Sequence, residues 1–146
     1  MPSIHVIHGP NLNLLGTREP ETYGVSTLAE INAAITELAA DLGVTVSTHQ
    51  FNGEGDIIDA IQAAGEHADG ILLNPAGYTH TSVAIRDAVA AVSIPTIEVH
   101  LSNTYAREPF RHKSLVAGVA RARVLGFGAA SYELALRGLV KIIASD

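Results

Sequence analysis

An arginine five residues ahead of a tyrosine, Arg18 and Tyr23, lies in a long polar connection near the start of the chain. A cation close to a phenol favours the phenolate, so the pair is suited to proton abstraction by a tyrosine. An ordinary phenol, with a pKa of about 10, is only ~0.1% ionised at pH 7, a gap of roughly 4 kcal/mol. One screened surface arginine supplies at most about 1 kcal/mol. Closing the gap takes a lid that excludes water around Arg18, with a second cation such as Arg111. Tyr23 has a plainer role available, which is to pack the lid against the body. For any single lid tyrosine, sequence alone favours the packing role.

A second pair lies in Thr96-Ile97-Glu98-Val99-His100-Leu101-Ser102. In a strand, alternation puts Ile97, Val99 and Leu101 on one face and Glu98, His100 and Ser102 on the other. An interior parallel strand is buried on both faces, and an unpaired carboxylate there is costly. Glu98 is therefore expected to pair with His100. A carboxylate orients an imidazole and favours its protonated form, which suits a general acid. A buried pair with a purely structural role has the same spacing.

Asn74-Pro75-Ala76-Gly77-Tyr78-Thr79-His80-Thr81-Ser82 supplies an amide, an imidazole and hydroxyls suited to a polyhydroxylated ligand. A helix N-terminus behind it would favour an anion, and Thr81 or Ser82 would cap that helix in either case. The histidines at 80, 100 and 112 lack the i, i+4 spacing of a helical metal site, so no metal is expected. There is no G-x-S-x-G elbow for a serine nucleophile, no G-x-G-x-x-G and no P-loop. With no cysteine, thiol catalysis, thiolate metal sites and disulfides are excluded. The only lysines are Lys113 and Lys141, and neither ends an apolar strand where a Schiff-base amine would be desolvated.

These side chains need a scaffold, and the hydrophobic pattern describes one. Short apolar β-rich runs at about Ile4–Ile7, Val44–Thr48, Gly70–Leu73, Thr96–His100 and Arg123–Phe127 alternate with helical patterns. Thr27 and Glu30 form a capping box ahead of Leu28, Ile31, Ile35, Leu38 and Leu42, and Gly43 stops that helix. Further helices are expected over Gly55–Glu66, Ser82–Val92 and Ala130–Ala144. The stretch Leu101–Lys113 is a second long polar connection with room for a helical turn. Strands spaced by helices mean βαβ units and a parallel sheet with right-handed crossovers. The expectation is one α/β domain over residues 1–146, flavodoxin-like and doubly wound, with five strands in the order 2-1-3-4-5. Ligands in such sheets bind beyond the carboxyl ends of the strands. Gly9–Asn11, Asn74–Ser82 and Glu98–Ser102 all fall there.

Hydrophobic residues make up 47% of the chain and charged residues 16%, as in a compact globular protein. The net charge of −6 argues against nucleic acid or an anionic membrane as partner. No targeting segment precedes the first strand and no apolar run approaches a membrane span, so a cytoplasmic location is expected. The low charge fraction and abundant Ala and Leu suggest that part of the outer surface is buried between subunits.

The segments GPNLNLLGTREPETYG, Asn52-Gly53-Glu54-Gly55 with Ile58-Asp59, NPAGYTHTSVAIRDA, and EVHLSN with AREPFRH resemble those of the type II 3-dehydroquinate dehydratases, in the same order and over nearly the whole chain. The resemblance implies a flavodoxin-like subunit in a homododecamer built from four trimers. It implies a lyase that removes water from 3-dehydroquinate by anti elimination, without a cofactor, to give 3-dehydroshikimate in the shikimate pathway. By it, Tyr23 is the base, working as tyrosinate, with Arg18 as the lid arginine. Asn11 holds a water against the enolate oxygen, His100 protonates the departing hydroxyl, and Glu98 orients His100. Asn74, His80 and Arg111 bind substrate hydroxyls, the backbone amides of Leu101 and Ser102 hold the carboxylate, and Asp87 reaches in from a neighbouring subunit. An enolate needs fixed donors instead of an imine lysine, in keeping with the lysine count.

The chain departs from that pattern at four positions. His8 stands in place of Asn, Phe51 and Gly53 in place of Ser and His, and Lys113 in place of His or Ser. None is a chemical position by the resemblance, and Gly53 is expected to loosen its connection. A different reading is a non-catalytic flavodoxin-like module that holds an anion or nucleotide at the strand ends. It lacks a phosphoacceptor's acidic cluster and leaves the Arg18–Tyr23 lid unexplained.

Overall fold

Five parallel strands form the centre of the computed structural model, which describes residues 1–17 and 19–146. They are β1 (Ser3–His8), β2 (Thr45–Gln50), β3 (Gly70–Asn74), β4 (Thr96–His100) and β5 (Ala122–Leu125), in the order β2-β1-β3-β4-β5. This is the doubly wound order expected, with the switch point between β1 and β3. There Ile4 pairs with Gly70 and His8 with Asn74.

Each strand face has its own core. Ile4 and Val6 of β1, Leu72 of β3 and Ile97 and Val99 of β4 pack with the helices α2 (Leu28–Leu42) and α5 (Ala130–Ser145). Ile7, Ile71 and Leu73 face the helices α3 (Glu54–His67) and α4 (Val83–Ala91). Period-2 alternation sorts the strand side chains between the two layers. Ile31, Ile35 and Leu38 turn one stripe of α2 inward, each contributing roughly 1.5–3 kcal/mol by burial.

Local chemistry sets the ends. The Glu30 N–H donates to the Thr27 hydroxyl, and the Glu30 carboxylate accepts from the Thr27 N–H, which completes the capping box of α2. The strand expected from Val44 begins one residue later and runs on to Gln50. The Val44 N–H is engaged by the Ala39 carbonyl, in the turn that closes α2 through left-handed Gly43. β5 stops at Leu125, two residues before the expected end. Gly126, at φ 94, bends the chain, and the Phe127 N–H donates to the Ser131 hydroxyl. Ser82 lies just outside α4 as its N-cap and accepts from the Ile85 N–H at 2.9 Å.

The first long connection holds more structure than a loop. It contains a 3₁₀ turn at Leu12–Leu14 and the four-residue helix α1 (Pro20–Tyr23), opened by Pro20 at its first position. The second contains two 3₁₀ turns, Thr104–Ala106 and Pro109–Arg111. Among the described residues, no helix is long and apolar enough to cross a membrane.

Candidate active site

A cavity of about 420 Å³ opens beyond the carboxyl ends of β1, β3 and β4, within the range of small-molecule sites. Its wall includes Asn11, Tyr23, Asn74, His80, His100 and Arg111, with Leu101 and Ser102 at the end of β4. The structure thus brings together eight of the expected residues from five separate segments. Glu98 lies directly behind His100. Asp87 does not line this cavity; it is exposed on α4 and pairs with Arg86 at 3.0 Å. Arg18 lies outside the described residues.

The wall near β1 depends on a close approach of two loops. The Gly9 N–H donates to the Asn74 carbonyl at 2.7 Å. A Cβ at position 9 would come within 2.8 Å of the Pro75 backbone, so only glycine fits. Asn11 adopts a left-handed backbone, at φ 70, and its N–H donates to the Asn52 side-chain carbonyl at 3.1 Å. Gln50 ties the same turn down by donating to the Gly9 carbonyl and to Asn52.

His100 and Glu98 form the expected pair, with Nε2 of His100 2.5 Å from a Glu98 carboxylate oxygen. The carboxylate can only accept, so the hydrogen is on Nε2 and Nδ1 is left for chemistry. Sequence alone missed three further partners of Glu98. The Thr79 hydroxyl donates at 2.5 Å, the Ser114 hydroxyl at 2.9 Å, and Arg123 is ion-paired at 3.1 Å. Burial pushes the Glu98 carboxyl up, but the hydrogen bond and charge of His100, then Thr79 and Arg123, outweigh it. The net effect is a pKa lowered to about 2. Glu98 is thus held as a carboxylate behind the imidazole.

Tyr23 is half-buried and packs against the α2/α5 core, so the lid-packing role is real. Among the described residues Arg107 lies over its ring, 5.1 Å from the centroid, while Arg111 lines the same cavity and lies over the Phe110 ring. Arg107 also donates to the Ser102 hydroxyl at 3.3 Å, while Arg111 donates to Glu108 at 2.9 Å. Both arginines belong to the AREPFRH segment, and only the fold of its two turns decides which one meets the tyrosine.

His80 donates through Nδ1 to the Lys113 carbonyl at 2.8 Å, which leaves Nε2 as an acceptor. Burial pushes its pKa down and the Lys113 carbonyl opposes this; the positive charges of His100, Arg111 and Arg123 add to the lowering. Among the described residues, no three His, Cys, Asp or Glu side chains are grouped to hold a metal ion.

The family model for dehydroquinase class II matches residues 2–140. The chain belongs to the class II dehydroquinase family. A 3-dehydroquinate dehydratase from Geotalea daltonii is 58% identical over 93% of this chain and 94% of its own length. One from Bordetella avium is 58% identical over 95% and 97%. Among solved structures, the type II dehydroquinase from Butyrivibrio crossotus superposes with a TM-score of 0.93 at 45% identity, covering 94% of this chain and 97% of that one. As a class II dehydroquinase, the chain also departs from its family's pattern in ways the structure accounts for. Phe51 stacks on His49 with centroids 6.2 Å apart and packs on the α3/α4 core. Gly53 is the N-cap of α3 with extended backbone angles, and a Cβ there would come within 2.9 Å of the Asp56 carboxylate, a side chain that can move aside. Lys113 acts through its carbonyl.

Proposed function

We propose that this class II dehydroquinase removes water from 3-dehydroquinate by a stepwise anti elimination, with Tyr23 as base and His100 as acid. The supporting observation is that Tyr23 and a Glu98-backed His100 line one cavity, on segments 77 residues apart in sequence. Tyr23, as tyrosinate, takes a proton from the carbon beside the ketone. The electron pair moves onto the ketone oxygen as an enolate. A water held by Asn11 donates to that oxygen, where fixed donors act most strongly on developing charge. His100 then gives its Nδ1 proton to the departing hydroxyl, water leaves, and the ketone re-forms conjugated to the new double bond. The product is 3-dehydroshikimate.

Arg107 sets a positive charge above the Tyr23 ring, and Arg18 acts beside it as the lid arginine. Asn74 and His80 present a donor and an acceptor to substrate hydroxyls, and Arg111 a further donor. The backbone amides of Leu101 and Ser102 receive the carboxylate. The reaction uses no cofactor. The exposed position of Asp87 fits a role at a neighbouring subunit's cavity in a dodecamer of four trimers. Val83, Phe110, Phe127 and Leu134 offer apolar surface for such contacts. The step belongs to the cytoplasmic shikimate pathway that leads to aromatic amino acids.

The test is to add 3-dehydroquinate to purified protein and follow the conjugated enone by ultraviolet absorbance. A rising trace is expected, and borohydride added with substrate leaves the activity intact because no imine forms. A flat trace from folded protein would instead favour a non-catalytic binding module.

A further inference from the structure

His8 ends β1 and is fully buried, with each ring nitrogen on a different helix. Nδ1 lies 2.8 Å from the Tyr132 hydroxyl of α5, and Nε2 lies 2.7 Å from the Asn32 side-chain carbonyl of α2. Tyr132, itself fully buried, accepts from the Asn74 amide nitrogen at 2.9 Å. The Asn74 carbonyl oxygen accepts from the Ala76 N–H at 3.0 Å. Asn74 is therefore gripped at both ends of its amide while lining the cavity.

The direction of every bond in this chain follows from one backbone group. The Ala76 N–H can only donate, so it fixes the Asn74 oxygen on its own side and turns the amide nitrogen toward Tyr132. The Tyr132 oxygen receives that hydrogen and gives its own to Nδ1 of His8. Nδ1 must then be bare and Nε2 must carry the hydrogen donated to Asn32. One hydrogen on the Asn74 amide remains uncommitted.

We propose that His8 and Tyr132 are positioning residues, which hold Asn74 so that it offers the cavity a single N–H donor for an oxygen of the ligand. The proposal rests on the dehydratase reading of the cavity and adds to it the two residues that orient one of its walls. A neutral imidazole is required, because a second ring hydrogen would point at the Tyr132 hydroxyl. Burial supplies this. It pushes the His8 pKa down to about 4, with the Asn32 bond opposing and the charge of His49 assisting. His8 is thus a departure from the family pattern whose side chain reaches the site, through two hydrogen bonds.

The test is a double-variant cycle read as KM and kcat in the enone assay, with thermal unfolding as a control for folding. Asn74→Ala raises KM. Tyr132→Phe, which removes one oxygen and keeps the ring, raises KM about threefold to tenfold while kcat stays within about twofold. The double variant is no worse than Asn74→Ala alone, because Tyr132 acts only through Asn74. His8→Leu behaves like Tyr132→Phe, and His8→Gln, which can accept and donate, restores KM. An unchanged KM in Tyr132→Phe, effects that multiply in the double variant, or equal behaviour of Leu and Gln at position 8 overturns the proposal. If His8→Leu fails to fold, Tyr132→Phe decides. ¹⁵N NMR of the His8 ring at pH 7 gives a readout without turnover. Hydrogen on Nε2 is expected, and hydrogen on Nδ1 overturns the relay even where conversion of 3-dehydroquinate is normal. Absent conversion with hydrogen on Nε2 would sink the dehydratase reading and leave the hydrogen-bond chain standing.

Discussion

The acid side of the cavity and the base side are built in opposite ways. His100 stands on β4, and its partner Glu98 is fully buried among Thr79, Ser114 and Arg123. Both Glu98 oxygens accept from side chains of packed loops, and one is ion-paired with Arg123 of β5. Tyr23 ends a four-residue helix between left-handed Glu19 and positive-φ Gly24, and its half-buried ring packs against the core. A helix that short has almost no stability of its own. The acid is thus preorganised by the fold, whereas the base is carried on a segment that relies on Arg107 and the core beneath it. General acids gain from a fixed proton donor, and a base that must be enclosed with its substrate gains from a lid.

Several changes separate the two sides, and they differ in size. Tyr23→Phe and His100→Ala each lower turnover roughly 10²–10⁴-fold while the folded state survives. Near-normal rates in either variant, measured by the enone absorbance, would remove the corresponding residue from the reaction. Glu98→Gln leaves Arg123 without its buried counter-charge and costs roughly 3–5 kcal/mol of stability. Denaturant unfolding measures this, and a loss below about 1 kcal/mol would show that the acid side is not held as described.

Acidity acts on the same architecture in two windows. With His8 lowered from 6.5 to about 4, the unfolded chain binds the proton more readily, so stability falls as pH drops from about 6.5 toward 4. The two values bound this loss at about 3 kcal/mol. Glu98, lowered from 4.5 to about 2, stabilises the fold above pH 4.5 and loses that contribution as pH falls toward 2. His8→Gln weakens the upper window, to which His5 and His80 also contribute through burial that lowers their pKa, and keeps the lower. The other titratable groups around His8 are His49 on β2 and Tyr132 on α5. An unchanged stability profile between pH 6.5 and 4 in His8→Gln would show that His8 is not the group responsible. The smallest effect is on the lid: Arg107→Gln slows turnover roughly tenfold by removing the cation above Tyr23. A rate equal to the parent's would mean that the base needs no charge from that side.

The sheet order and the Glu98–His100 pair were legible because both follow from short periodic patterns. Alternation along Thr96–His100 puts the two side chains on one face whatever surrounds them. The partners that complete the acid were not legible. Thr79 and Ser114 reach Glu98 from 19 and 16 residues away, across loops whose path no local rule describes. The choice between Arg107 and Arg111 likewise depends on two 3₁₀ turns in a stretch that reads only as polar. His8 gives the sharpest case. From sequence it is a departure with no chemical part. In the fold it joins residues 24 and 124 positions away and ends at the cavity wall.

Solvent deuterium exchange into substrate separates the two halves of the reaction. With His100→Ala in deuterium oxide, the carbon beside the ketone is expected to gain deuterium while no enone appears. Tyr23 still forms the enolate and nothing protonates the departing hydroxyl. With Tyr23→Phe, neither exchange nor elimination occurs. Exchange in Tyr23→Phe together with none in His100→Ala would contradict the assignment of base and acid.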